Sequence, residues 1–279
     1  MHDKACISFL QHYLPKLGYR WKGFRKVRNQ VCKRINKRIR ELDLVDIKAY
    51  GEYVQNYGEE MKVLDALFNI TISRFYRDRG VFDNIANDIF PALAEKGRQN
   101  QQEQIHCWSA GSASGEEPYT LTIIWNMAVL PEPGRDLSLR IIATDRNANL
   151  IERAENGIYP GGALKEFPQE WKKQAFEKRE DEYQIKKEFR RDVKFLLQDI
   201  RSELPEGTFD LILCRNLVFT YFQEDLQRDV FQRIMTKLNP GGYLIIGIHE
   251  SLPEGQEDLV HVEKCVYWKP VQDWYDVIG

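Results

Sequence analysis

Ile105-His106-Cys107-Trp108-Ser109-Ala110-Gly111-Ser112-Ala113-Ser114-Gly115-Glu116-Glu117-Pro118-Tyr119 decides the fold. A short apolar run ends in a glycine loop, and the loop opens into a helical pattern over Pro118 to Val129. Strand, glycine loop and helix in that order begin a βαβ unit, the entry to a parallel sheet. The downstream texture repeats the unit. Leu139 to Asp145 reads as a second strand, and Ala148 to Glu155 as its helix. Val193 to Leu197 and Phe209 to Cys214 read as the third and fourth strands. A helix over Glu224 to Leu238 and a turn, Asn239-Pro240-Gly241-Gly242, lead to a fifth strand from Tyr243 to Ile248. His261 to Lys269 supplies a last, antiparallel strand with a partner near Leu259. The fold class expected is α/β: a Rossmann-like, mostly parallel sheet with an antiparallel C-terminal strand, preceded by a small all-α domain. The charged stretch 160–192, with Trp171, Phe176 and Tyr183, reads as an insertion or a connecting helical segment.

Upstream of the decisive stretch no strand pattern appears. Ile7, Leu10, Tyr13 and Leu14 recur at helical spacing, as do Val31, Ile35, Ile39 and Leu42. Two shorter helices are expected over Asp46 to Tyr53 and Met61 to Phe68. This gives a helical domain over 1–77 with a basic helix, a helical linker over 78–100 and an α/β domain over 101–279. The 279 residues suffice for one large domain and one small one.

Composition narrows the function classes. No apolar run reaches the roughly 18 residues that a membrane span needs, and Met1 to Leu10 carries Asp3 and Lys4 and lacks the apolar h-region of a signal peptide. A cytoplasmic protein without membrane insertion is expected. The five cysteines (Cys6, Cys32, Cys107, Cys214 and Cys265) are scattered and never spaced as Cys-x-x-Cys. Reduced, buried thiols are the expected state, rather than a disulfide framework or a zinc site. The five histidines show no metal-ligand spacing, so no metal is expected. The net charge of −2 conceals a run of cations from Arg20 to Arg40 without an acid. A nucleic-acid surface, a docking face for an acidic protein and a solvated helix face are all compatible with it.

The glycine loop lacks the G-x-G-x-x-G spacing of a dinucleotide site. Glu116 and Glu117 sit where a pyrophosphate would lie, and they would repel it. They are compatible with a ligand carrying an ammonium and a sulfonium, and equally with simple complementation of the helix dipole. Asp145 ends the second strand, where an acid can accept hydrogen bonds from both ribose hydroxyls of an adenosine or cap the next helix. Arg215-Asn216 follows the fourth strand, which neighbours the first in a sheet ordered 3-2-1-4-5. Tyr221 and Phe222 follow closely, to line the crevice or to pack beneath the next helix.

With these residues in view, the chain resembles the CheR-type chemotaxis receptor glutamate O-methyltransferases. The segments that carry the resemblance are Ile72-Ser73-Arg74-Phe75-Tyr76-Arg77-Asp78, Trp108 to Tyr119, Ala143-Thr144-Asp145, Phe209 to Asn216 and Leu238-Asn239-Pro240-Gly241-Gly242. They occur in the family's order across nearly the whole chain. The resemblance implies S-adenosylmethionine as cofactor and S-adenosylhomocysteine as its product. It implies that Thr71, Ser73 and Arg77 reach the cofactor from the segment between the domains. Glu117, beside Gly111 of the loop, would bind the methionine part and Asp145 the ribose. Asp199 and Ile200 would contact the adenine, Arg215 and Asn216 would close the site, and Arg77 and Tyr221 would lie next to the transferred methyl. The sequence departs from the family at several points. Thr71 and Asp199 stand where Asn is usual, and one extra residue separates Asn216 from Tyr221. Gly247-Ile248-His249-Glu250-Ser251 stands against the usual Gly-His-Ser-Glu.

A glutamate side chain has a pKa of about 4.3 and is ionised at neutral pH, so methyl transfer to it needs no general base. Alignment of the carboxylate with the methyl is the main requirement, and orientation contributes about 7 to 11 kcal/mol in such reactions. Arg77 would hold cofactor or substrate, and Tyr221 would orient the nucleophile. The expected activity is methyl transfer to a protein glutamate. A small-molecule acid or hydroxyl as acceptor, and a cofactor-binding relative without turnover, remain as alternatives. The expected partner is an acidic helical protein, such as a chemoreceptor cytoplasmic region, docking on Arg34, Lys37 and Arg38; nucleic acid is not expected.

Overall fold

A computed structural model describes residues 3–129, 137–254 and 258–271. The chain forms two compact units. The first comprises Met1–Ile72 with Leu217–Arg228, and the second Ser73–Asn216 with Asp229–Gly279.

In the first unit α1 (Asp3–Tyr13), α2 (Trp21–Phe24), α3 (Arg28–Glu41), α4 (Ile47–Asn56) and α5 (Gly58–Leu67) follow one another. Apolar stripes build its core: Leu10, Leu14, Phe24, Val31, Ile35, Tyr50 and Leu64 have no exposed surface. On α3, Val31, Cys32, Ile35 and Ile39 turn inward, and the cations are left to the other faces. Asp46 starts α4, its carboxylate accepting the Ala49 N–H at 2.8 Å, the usual device for satisfying a first-turn donor.

The basic face of α3 is less uniform than its sequence. Arg38 forms a two-pronged pair with the buried Glu60, at 2.8 and 2.7 Å, and Tyr50 donates to the same carboxylate at 2.9 Å. The Arg38 pairing holds the Glu60 carboxyl below its ordinary range, against the opposing effect of burial. Arg34 donates to the carbonyls of Leu67, at 3.2 Å, and Asn69, just past the end of α5. Lys33, Lys37 and Arg40, spaced i, i+4 and i+7, remain exposed.

The expectation of reduced thiols throughout is corrected at one pair. Both α1 and α3 pack on α4, and Cys6 of α1 and Cys32 of α3, at a Cα–Cα distance of 6.1 Å, form a disulfide. Cys107, Cys214 and Cys265 are buried and outside the disulfide, as read from the sequence.

The second unit begins with α6 (Arg79–Asn84), a π-helical turn over Ile85–Ile89 and α7 (Phe90–Gln99). Then come β1 (Gln104–Ala110), α8 (Glu116–Ile124), β2 (Ser138–Asp145) and α9 (Ala148–Asn156). Next are β3 (Ile158–Pro160), α10 (Gln169–Ala175), β4 (Phe176–Arg179), β5 (Glu182–Ile185), β6 (Val193–Leu197) and β7 (Phe209–Cys214). The chain continues through α11 (Val218–Tyr221) in the first unit and α12 (Glu224–Lys237), which leaves it. It ends its described course in β8 (Leu238–Ile246), β9 (Val260–Glu263) and β10 (Val266–Trp268).

The main sheet is ordered β6-β2-β1-β7-β8-β10-β9. The first five strands are parallel, and β10 pairs antiparallel with β8. All six residues of β7 are buried, as befits a central parallel strand covered on both faces. The expected α/β, Rossmann-like sheet and its 3-2-1-4-5 order are therefore present. Three details differ. The last strand is a hairpin, β9 and β10, rather than one strand. Asn239 to Gly242, read as a turn, lies within β8, with a register irregularity against β7. The segment 160–192 is neither helical throughout nor featureless: with β3 it forms a three-stranded antiparallel sheet, β3-β5-β4. Its charges hid the alternation, because Glu177 to Arg179 are exposed in succession on a short edge strand.

The disulfide closes a loop of 26 residues, and such a closure stabilises by about 3 kcal/mol through the unfolded chain. Adding a thiol reductant, or replacing Cys32 by Ser, should lower the thermal midpoint of the oxidised protein by several degrees. An unchanged midpoint, with all five cysteines alkylated in the unfolded, unreduced protein, would contradict the pairing.

Candidate active site

The crevice at the carboxyl ends of β2, β1 and β7 gathers the candidate residues of the second unit. Doubly wound sheets bind ligands at this position, because consecutive crossovers there diverge to opposite sides. The glycine loop is pinned to β2: the N–H groups of Gly111 and Ser112 both donate to the Thr144 carbonyl, at 2.8 and 3.0 Å. Gly111 and Gly115 hold φ of 73° and 91°, a left-handed backbone that glycine adopts without strain. At Gly115 a side chain would also meet Ala154, Tyr119 and Tyr159 at 3.0 to 3.1 Å. At Gly115 the loop can thus pack this close to Ala154, Tyr119 and Tyr159 because no side chain holds it off.

Asp145, at the last position of β2, is 9% exposed. One carboxylate oxygen accepts the Ala113 N–H at 3.0 Å and the other the Asn147 N–H at 2.9 Å. Burial raises its pKa, and these backbone donors only partly oppose the rise. The side chain therefore binds the glycine loop to the turn before α9. Asn147, not Asp145, caps α9, accepting the Asn149 N–H. Past β6, the Gln198 N–H donates to the Asp145 carbonyl at 3.1 Å, which brings Asp199 and Ile200 to the same end of the sheet. Asp199 is held by Arg201 through its backbone N–H and its guanidinium, each at 3.0 Å. Burial alone would raise the Asp199 pKa, but Arg201 turns the net shift downward.

The two glutamates that open α8 part company. Glu116 is buried and hydrogen-bonded to Ser73 and Ser114, and burial raises its pKa. It joins the segment before α6 to the glycine loop, so Ser73 is engaged with Glu116. Glu117 faces the crevice. It accepts Ser109 Oγ at 2.8 Å and Arg215 at 2.9 Å. The Arg215 side chain is 4% exposed and also pairs with Asp78, at 2.7 Å, and donates to the Arg77 carbonyl at 3.0 Å. Its guanidinium lies 5.1 Å from the Phe82 ring centre, within cation–π range. Two carboxylates share one guanidinium, so this chain of contacts carries a negative charge in excess. The Tyr76–Asp78 segment is strained, with φ of 59° at Tyr76 and 62° at Asp78. Tyr76 Oη, donating to Asp83 at 2.9 Å, and the Arg215–Asp78 pair hold it.

The structure thus brings Gly111, Glu117, Asp145, Asp199, Ile200, Arg215 and the Arg77 backbone to one end of one sheet. Ser73 joins them through Glu116. Thr71 and Tyr221 belong to the first unit. Tyr221 packs there edge-on against Phe24, with ring centres 5.0 Å apart. Sequence reading missed Ser109 and Asp78. Asp78 stood beside Arg77 in a quoted segment, and Ser109 two residues before the glycine loop, but only the fold pairs them with Arg215 and Glu117.

These residues fit S-adenosylmethionine. Its net charge is positive, and the Glu117 chain has a negative excess to meet it. Ser112 Oγ is buried in the glycine loop with no hydrogen-bond partner among the described residues, as is Arg215 Nε. Buried polar atoms left without partners are uncommon and call for an explanation, which a polar ligand would supply at these two.

Comparison with known proteins gives the same reading. The profile of the family described as "CheR methyltransferase, SAM binding domain" matches residues 71–267. A chemotaxis protein methyltransferase of Listeria innocua is 32% identical over 206 residues, covering 73% of this chain and 75% of its own. One from Borreliella burgdorferi is 30% identical over 238 residues, 82% of each chain. One from Vibrio anguillarum is 35% identical over 194 residues, 68% of each chain.

Asp145→Ala should weaken S-adenosylhomocysteine binding at least tenfold, measured by calorimetry, because paired ribose hydroxyls would lose their acceptor. The pH dependence has a definite sign. The free protein's Asp145 takes up its proton above the ordinary 3.8, and a hydroxyl-accepting site needs the carboxylate. Affinity should fall as the pH drops through that raised value, and Asp145→Asn should abolish this step. Wild-type affinity in the Ala variant would refute the assignment.

Proposed function

The chain belongs to the CheR family of S-adenosylmethionine-dependent methyltransferases, and from that premise we propose that it esterifies glutamate side chains on the cytoplasmic region of a chemoreceptor. The observation that carries the reading is the Ser109–Glu117–Arg215–Asp78 chain beside Asp145, a preformed anionic crevice at the sheet's switch point. Bound S-adenosylmethionine supplies an electrophilic methyl on a sulfonium. The residues of the chain do the rest. Glu117 holds the methionine ammonium, and Asp145 accepts from the ribose hydroxyls. Gly111 lets the backbone approach, and Asp199 and Ile200 border the adenine. Thr71, Ser73, Arg215 and Asn216 complete the enclosure. Arg77 orients cofactor and acceptor carboxylate, and Tyr221 steadies the acceptor by its hydroxyl. The acceptor is already ionised, so no side chain has to take a proton.

In this reading the helical unit, expected over 1–77 and compact over 1–72 with 217–228, selects the acceptor protein; residues 78–100, expected as a linker, fall in the second unit with 101–216 and 229–279, which carry the cofactor chemistry. An acceptor on the cytoplasmic region of a chemoreceptor would place the protein's work in the cytoplasm. The docking face on α3 is revised in its membership. Arg38 is committed to Glu60 and Arg34 to backbone carbonyls, so an acidic, helical partner meets Lys37 together with Lys33 and Arg40. Lys37 is 74% exposed, and its 3.6 Å pair with Glu41 is a weak surface pair that a partner can displace.

Three measurements test the proposal. Incubation of the protein with a chemoreceptor cytoplasmic fragment and methyl-labelled cofactor should give label that base releases as methanol. Base-stable label would point to another acceptor atom. Arg77→Ala and Tyr221→Phe should lower turnover at least tenfold, with little change in thermal midpoint. A full rate in Tyr221→Phe with a loss in Thr220→Ala would move the role by one residue. Reversal of Lys33, Lys37 and Arg40 to Glu should raise KM for the fragment at low salt and leave cofactor affinity alone, since such charges act on encounter and are screened. Arg38→Glu should instead lower stability by up to about 3 kcal/mol, because it strands the Glu60 carboxylate.

A further inference from the structure

We propose that Glu250 is a positioning residue for the Arg215–Asn216 turn, acting through the backbone and not by touching cofactor or acceptor. The proposal rests on the reading of that turn as part of the cofactor site.

Strands β7 and β8 run parallel, and their pairing ends at Cys214 and Ile246. Beyond that point the chains part, and the amides of Asn216 and Gly247 have left the ladder that would have paired them. Buried backbone donors need a partner. One atom supplies both: Glu250 Oε2 accepts the Gly247 N–H at 2.6 Å and the Asn216 N–H at 2.8 Å. The Glu250 N–H in turn donates to the Gly247 carbonyl at 2.8 Å, which closes a tight turn and folds the carboxylate back over its own chain. A single charged acceptor thus clasps the ends of two neighbouring strands, and hydrogen bonds to a carboxylate are stronger than neutral ones.

Two further features show that the clasp is tightly built. Asn216 has φ of 54°, a left-handed conformation that asparagine tolerates better than most residues but does not prefer. The Glu250 bond to its N–H holds it there. Gly247 has no room for a side chain: a Cβ would come 2.8 Å from Asn216 Oδ1 and 2.8 Å from Glu250 Oε2. Asn216 immediately follows Arg215, whose guanidinium joins Glu117 to Asp78. Glu250 therefore fixes the peptide from which Arg215 projects, and through Arg215 it fixes where Glu117 points.

The test uses the full-length protein and three variants, E250A, E250Q and G247A. Affinity for S-adenosylhomocysteine is read by calorimetry, amide hydrogen exchange at Asn216 and Gly247 by NMR, and folding by thermal midpoint. E250A should weaken binding at least tenfold and expose both amides to exchange. E250Q should stay within threefold of wild type, because its amide oxygen can accept the same two N–H groups. G247A should behave as E250A, since its methyl displaces the carboxylate, and it carries the test if E250A does not fold. Wild-type affinity in E250A, continued protection of both amides in that variant, or an E250Q defect equal to that of E250A would each overturn the proposal. If the wild-type protein itself does not bind S-adenosylhomocysteine, the cofactor reading fails, and the exchange data alone decide the clasp.

Discussion

A guanidinium almost wholly out of water has to be paired, and the pairing of Arg215 sets the geometry of the second unit's crevice. Its partners come from three places in the chain: Glu117 at the start of α8, Asp78 before α6 and the Arg77 carbonyl. Arg215 itself is placed by β7, a strand buried at every position. Losing Arg215 would leave both carboxylates without their cation in a partly buried site, a cost of several kcal/mol. The strained backbone at Tyr76 and Asp78 is held against this ion pair, so the segment that carries Arg77 has its course fixed before any ligand arrives. Ser109 extends the arrangement into β1, which means that the sheet's central strand and its crevice share one hydrogen-bonded chain.

A second constraint runs along the other side of β1. The glycine loop is tied to β2 by two backbone bonds and by the Asp145 carboxylate. Asp145 thus has a structural task, and its buried carboxylate pays for it in a raised pKa. The two ties leave the loop in one position, with Glu117 on one flank and Asp145 on the other. Two carboxylates set apart in this way suit an elongated ligand with a cationic amino-acid portion and a nucleoside, which is the reading proposed.

Much of this was legible in the sequence, and for identifiable reasons. Buried parallel strands such as Phe209 to Cys214 are apolar runs, and the glycine loop stands where the first one ends. The alternation with helices gives a parallel sheet, and the 3-2-1-4-5 order comes with the expected Rossmann-like fold class, since alternation alone also fits 2-1-3-4-5. Pairings between distant segments were not legible. Nothing in local spacing tells that Cys6 meets Cys32, that Arg38 is spent on Glu60, or that Glu116 turns inward while Glu117 turns out. The last case is instructive, because adjacent identical residues on a helix lie 100° apart and only packing decides which faces the crevice. The small sheet β3-β5-β4 was missed because its strands are three or four residues long and largely exposed, too short to show a period. On α3 the cations looked alike in sequence, and burial sorted them into structural and exposed sets.

The central claim is that the crevice at the ends of β2, β1 and β7 holds S-adenosylmethionine in one orientation, with the ribose on Asp145 and the methionine portion on Glu117. A crystal structure of the complex with S-adenosylhomocysteine tests it most directly. The account predicts both ribose hydroxyls within hydrogen-bond distance of the Asp145 carboxylate, the ligand's ammonium against Glu117, and Arg215 still bridging Glu117 and Asp78. A ligand bound elsewhere, or one bound in the crevice with Asp145 making no contact to the ribose, would contradict it.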